Sequence, residues 1–189
     1  MIRYYVSAHV IAPFRQAAQL MSIGIKSSGG PTFYAEHSGF DERLASPYEK
    51  SLIKTLRFYK NEASNCTSTP EFQDTNYATE SVTVFGTMSV IEASLKCFFG
   101  SHEGRIELLS YRSHESFASV YGIFGGSAYC PYVFLCTDIS PLIENILPGN
   151  RTFKVSSCRS YLREHEGIDT ALTSAKDFEQ VHRLYLSSK

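Results

Sequence analysis

Short runs of β-branched and aromatic residues alternate along this chain with segments whose apolar side chains recur at three- and four-residue intervals. That alternation constrains the fold most. A period of two marks a half-buried strand, and a period near 3.6 an amphipathic helix. Strand patterns fall at residues 2–11, 32–35, 82–85, 106–111, 132–136 and 152–155. Helical patterns lie between and after them. Interspersed elements of this kind predict an α+β fold, with a central mixed β-sheet flanked by short helices, over a helical bundle or a β-sandwich. A length of 189 residues suits a single compact domain spanning residues 1–189.

Local signals sharpen the helix expectations. Ser46, Pro47 and Glu49 form a capping box with proline in the first turn, predicting a helix from Tyr48 to about Lys60 that buries Leu52, Leu56 and Tyr59. Ser89 with Glu92 and Ser174 with Asp177 read as two further boxes. Pro13 is expected to open a helix carrying Phe14, Ala17, Ala18 and Met21, with Gly24 ending it. Pro141 is expected to open another, and residues 161–166 a short one. Residues 61–81 lack sustained apolar periodicity and hold Glu62, Glu71, Asp74 and Glu80 without a base, so a long polar loop is expected there.

Composition excludes several function classes. Eighteen Lys plus Arg against 19 Asp plus Glu give a formal net charge of -1, too little positive field to hold extended nucleic acid. No apolar run approaches the roughly 20 residues needed to span a bilayer, so no membrane role is expected. The first residues carry only Arg3 as an early charge and are broken by Ser7 and His9, unlike a secretory core. Five irregularly spaced cysteines fit reduced thiols in a cytoplasmic protein, and their spacing matches no metal knuckle.

The chemistry-bearing candidates cluster weakly. Arg112, Ser113, His114 and Glu115 follow a strand and open a helix, where Arg112 can hold a phosphate or carboxylate and His114 and Glu115 can orient a proton. Gly125 and Gly126 permit close ligand approach, and Tyr129 and Tyr34 can stack on a base, although no phosphate-loop motif is present. Cys130 offers a nucleophile for a cysteine hydrolase if a histidine lowers its pKa.

Tyr5-Val-Ser7-Ala-His9, followed by Gly24-Ile25, Gly30 and Phe33-Tyr34-Ala35, loosely resembles the opening of ADP-ribosyltransferase domains over about the first 40 residues. The Gly-Thr expected after that strand is absent. The resemblance implies a role for His9 at the end of the first strand in holding NAD, with a later glutamate, among Glu80, Glu107 and Glu115, completing the site. The expected function is therefore a small nucleotide-recognising protein, with NAD or a related nucleotide as ligand and transferase chemistry assigned to His9, His114 and Glu115. The alternative is a noncatalytic module that docks a protein partner through its tyrosines and the 61–81 loop.

Overall fold

The computed structural model describes residues 3–11, 18–59, 72–76, 81–100, 105–111, 114–141 and 171–187. The strands are β1 (Arg3–Ile11), β2 (Gln19–Ser27), β3 (Thr32–His37), β4 (Phe72–Asn76), β5 (Ser81–Gly86), β6 (Arg105–Ser110) and β7 (Val133–Asp138). They form one seven-stranded sheet in the order β4-β5-β3-β2-β1-β6-β7. β1 pairs antiparallel with β2, β2 with β3, and β4 with β5, while β3–β5, β1–β6 and β6–β7 are parallel. It follows that β1, β3, β5, β6 and β7 run the same way, and their carboxyl ends share one edge of the sheet. The described helices are α1 (Pro47–Ile53), α2 (Met88–Phe99), α3 (His114–Ile123) and α4 (Ala171–Ser187). The expected α+β domain with a mixed sheet is the observed one.

The two faces differ in chemistry. Tyr4, Val6 and Val10 of β1 join Leu20, Ile23 and Ile25 of β2 on one face, and α2 and α3 close it with Ile91, Leu95, Phe99, Phe117 and Val120. Much of the aromatic inventory meets here. Phe99 touches Tyr4, Tyr132 and Phe134 at centroid distances of 5.1, 5.3 and 5.7 Å, the edge and tilted geometries that rings prefer. The opposite face carries Tyr5, His9, Ser22, Tyr34 and Glu36, and α4 covers part of it. A smaller apolar cluster, Ile11, Met21, Phe40, Ala45, Ile53 and Leu56, seats α1 beside that face.

Several expected elements are corrected. Met21 and Gly24 belong to β2, not to a helix opened by Pro13; residues 12–17 lie outside the described residues. A bulge explains the misreading. His9 pairs with Ser22 but Val10 with Leu20, so the extra residue Met21 breaks the period of two and leaves Leu20 and Met21 both buried. Gly24 sits mid-strand because α4 lies directly on it. A Cβ there would overlap the backbone of Ala171 and Leu172.

The Ser46–Glu49 box forms as expected, with Ser46 N donating to Glu49 Oε2 at 2.6 Å and Glu49 N to Ser46 Oγ at 3.3 Å. Yet α1 stops at Ile53 instead of about Lys60, since the backbone at 57–59 turns toward Glu36. Ser89 is inside α2, whose N-cap is Thr87, and Ser174 and Asp177 are buried inside α4, which is described from Ala171. Ser174 and Asp177 serve a buried helix face instead of a cap, whereas Ser89 is exposed one residue inside α2 and its hydroxyl lies 2.9 Å from that of Thr87. The 61–81 stretch contains β4, an edge strand paired with β5. Among the described strands β7 is the outermost on its side and is not buried, for Val133 is 62% and Leu135 45% exposed. The expected strand at 152–155 and helix at 161–166 lie outside the described residues, as does the helix expected from Pro141, of which only Pro141 itself is described.

Candidate functional site

The carboxyl edge of a largely parallel sheet is where loops and helix amino ends converge on ligands. His9 of β1, Glu36 of β3, and His114 and Glu115 at the start of α3 all lie toward that edge. They do not meet. Val10 packs on the α2–α3 face, so His9, its strand neighbour, points to the other face with Tyr5. Glu115 is on the α2–α3 side. Arg112 lies outside the described residues.

On the His9 face the sheet builds a buried polar line. Glu36 is fully buried and its carboxylate accepts four hydrogen bonds. Oε1 takes the Tyr34 hydroxyl and the Arg57 amide, both at 2.6 Å, and Oε2 takes the Phe58 and Tyr59 amides at 3.0 and 3.1 Å. Three successive amides on one carboxylate make an anion nest filled from within the chain. Burial, followed by the adjacent Glu36 charge, pushes the Tyr34 hydroxyl far above the usual tyrosine range. Ser22 Oγ lies 3.4 Å from His9 Nδ1. Arg57 stacks over the Tyr34 ring at 5.7 Å.

Helix α4 closes this face through polar as well as apolar contacts. The Tyr5 hydroxyl and His182 Nδ1 are 3.0 Å apart and both residues are buried. Lys26 reaches Glu179 at 3.9 Å, and Tyr111 meets Phe178 at 6.2 Å. Burial, then repulsion from Lys26 and Arg57, holds Lys176 below the ordinary lysine value. His182 is likewise lowered, first by burial and then by Arg3, against an opposing pull from Glu107.

On the opposite face a groove of about 220 Å³ opens between the ends of β1 and β2 and the first turns of two helices. Val10, Leu20 and Met88 make apolar walls, and Glu115, Ala118 and Ser119 of α3 make the other side. Glu115 is the acidic group of the lining, its Oε1 lying 3.8 Å from Nε2 of the largely exposed His114.

The remaining candidates sit at the other end of α3. Gly125 has φ +77° and Gly126 φ +114°, with Gly126 N bonded to Tyr121 O at 2.8 Å and Gly125 N to Gly122 O at 3.0 Å. That pair of bonds is a Schellman stop, which accounts for both glycines without a ligand. Tyr129 is 79% exposed beside them, whereas Tyr34 is buried. Burial pushes the Cys130 thiol up, opposite to what an activated nucleophile needs. Among the described residues no group of three or more His, Cys, Asp or Glu is placed to hold a metal, and no helix is long and apolar enough to cross a membrane.

Sequence reasoning missed Glu36 and Ser22. The available signal was Tyr34-Ala35-Glu36, which puts a phenol and an acid on one side of an otherwise apolar strand. Of the glutamates offered by the ADP-ribosyltransferase resemblance, Glu107 pairs with Arg3 at 2.9 Å, Glu115 lines the groove, and Glu80 is outside the described residues. A Glu-x-Glu spacing, as that family uses, does occur at Glu164-His165-Glu166, also outside them. No protein-family model matches the chain, and no curated protein matches it in sequence.

Proposed function

We propose that the protein recognises a nucleotide or a related small molecule by one of its rings, held in the groove between β1, β2, α2 and α3. The observation that carries this reading is the groove's makeup: apolar walls, one carboxylate, and a position at the carboxyl edge of the sheet. Its volume of about 220 Å³ is below the roughly 300–1,000 Å³ of sites that engulf a drug-sized ligand. A single nucleobase or nicotinamide ring fits that space better than a whole dinucleotide. Glu115 would accept a hydrogen bond from a ring amino group or a ribose hydroxyl. The reading stops at recognition, because His9 and Glu115 face opposite sides of the sheet and cannot act on one atom. Methyl NMR of Met88 and Ala118 during titration with adenosine, nicotinamide and NAD tests it. Shifts that saturate, and that vanish in Ala118→Leu, support the groove; flat methyl signals with every ligand contradict it.

A second reading, a noncatalytic docking module, draws on the exposed Val133 and Leu135 of outer strand β7, with Tyr129 nearby in sequence. Outer strands with exposed apolar residues recruit further strands. Sedimentation at high concentration separates the two readings: the double substitution Val133→Lys, Leu135→Lys should reduce association and leave the groove's ligand response unchanged.

A further inference from the structure

The two polar side chains in the described lining of the groove, Glu115 and Ser119, stand one helical turn apart on the same side of α3. Both present lone pairs to a ligand. An ionised carboxylate can only accept, and the Ser119 hydroxyl donates its single hydrogen to the Glu115 carbonyl at 2.8 Å, which leaves its oxygen an acceptor as well. His114 does not use up the Glu115 lone pairs. Its Nε2 lies 3.8 Å from Oε1, beyond hydrogen-bond distance, on a largely exposed side chain. The amino end of α3, which would otherwise attract an anion, is met by Glu115 of its own first turn. Shape adds a second constraint. Ala118 and Gly122, also one turn apart, carry little or no side chain, and a Cβ on Gly122 would meet nothing within 4 Å, so a flat ring has room between α3 and the Val10, Leu20 and Met88 walls.

We propose that Glu115 and Ser119 are a specificity-determining pair, through which the groove selects uncharged rings that carry N–H or O–H hydrogens, a ring carboxamide, an amino-substituted base or a nucleoside, and rejects rings that carry an acid. The proposal rests on the reading that the groove takes a ring, and goes beyond it by assigning the ring's chemical class. A carboxamide and a carboxylate fill almost the same volume, so apolar walls cannot tell them apart. The two acceptors can. An amide spends its hydrogens on these oxygens, whereas an acid sets lone pair against lone pair and one negative charge beside another. Any phosphate of a bound nucleotide then lies outside the groove.

Nicotinamide and nicotinate, two rings of nearly equal size, test it when each is titrated into the full chain at about pH 8, where the nicotinate carboxyl is ionised. The Met88 and Ala118 methyl signals report occupancy of the groove, and the amide spectrum verifies folding of each variant. Nicotinamide should bind about tenfold or more tightly than nicotinate, the scale of one hydrogen bond to a charged group. In Glu115→Gln, whose side-chain amide donates as well as accepts, the two affinities should converge to within about threefold. Nicotinate binding as tightly as nicotinamide in the parent protein, or a preference that survives Glu115→Gln, overturns the proposal and leaves the groove a ring site of another specificity. Methyl signals that stay flat with both rings and with adenosine overturn the ring reading and the proposal together.

Discussion

One face of this sheet is held by shape and the other by direction. On the α2–α3 face, Ile91, Leu95, Phe99 and Val120 press on Val6, Ile23, Ile25 and Leu108, all of them essentially buried, and any well-packed apolar set of similar volume would serve. On the α4 face, Glu36 collects four donors and α4 docks through the Tyr5–His182 and Lys26–Glu179 contacts. Such contacts contribute little net stability each, but are costly to break singly, because the partner left behind is buried or partly buried. The apolar face should therefore tolerate substitution by degrees, and the polar face should fail abruptly.

The largest expected effect follows from that asymmetry. Glu36→Ala orphans the Tyr34 hydroxyl and the amides of Arg57, Phe58 and Tyr59. At about 1–3 kcal/mol for each unsatisfied group, the loss should exceed the roughly 3–5 kcal/mol expected of Phe99→Ala, a large truncation on the apolar face. Denaturant melts of the two variants, compared at the same pH, check the order; a milder loss for Glu36→Ala would erase the distinction between the faces.

Two glycine substitutions come next. Gly24→Ala drives a methyl into the α4 backbone at Ala171 and Leu172 and should cost about 1–3 kcal/mol or more. Gly122→Ala, on the α3 side, meets nothing within 4 Å and should be neutral or stabilise its helix by about 0.5–1 kcal/mol. Thermal melts should show a clear drop for Gly24→Ala and no drop for Gly122→Ala.

A smaller effect is expected from acid. His182 has its pKa lowered in the folded state from the ordinary value of 6.5, so folding disfavours its protonated form. The associated stability is fully present above pH 6.5 and is lost as pH falls from there through the lowered folded value. His37, also lowered by burial, adds a loss of the same sign. The melting temperature of the parent should drop between neutral pH and about pH 5, and His182→Gln should flatten part of that slope. Last, Arg43→Ala removes the exposed partner of Asp41, a contact of 2.8 Å at the surface, and should leave the melt unchanged within error.

The apolar face was legible in the sequence because its information is local. Phe117 and Val120 share a helix face by spacing alone, and the alternation of Val82, Val84 and Ile106, Leu108 marks strands without knowledge of their partners. The Ser46 box was legible for the same reason. Glu36 was not, since the amides that stabilise it lie more than twenty positions on, in a stretch that looks like the continuation of α1. Nor could spacing tell that His9 and Glu115 would share an edge of the sheet but not a face, because that depends on the register of β1 and on the side from which α3 packs.

Native-state hydrogen exchange at the amides of Arg57, Phe58 and Tyr59 tests the directional character of the polar face most directly. These amides lie past the end of α1 at Ile53, where an ordinary turn would exchange quickly. The account predicts protection comparable to the central strands β1 and β2, lost selectively in Glu36→Gln while the amides of β1 keep theirs. Fast exchange at all three positions in the parent protein, or protection that survives Glu36→Gln, would contradict it.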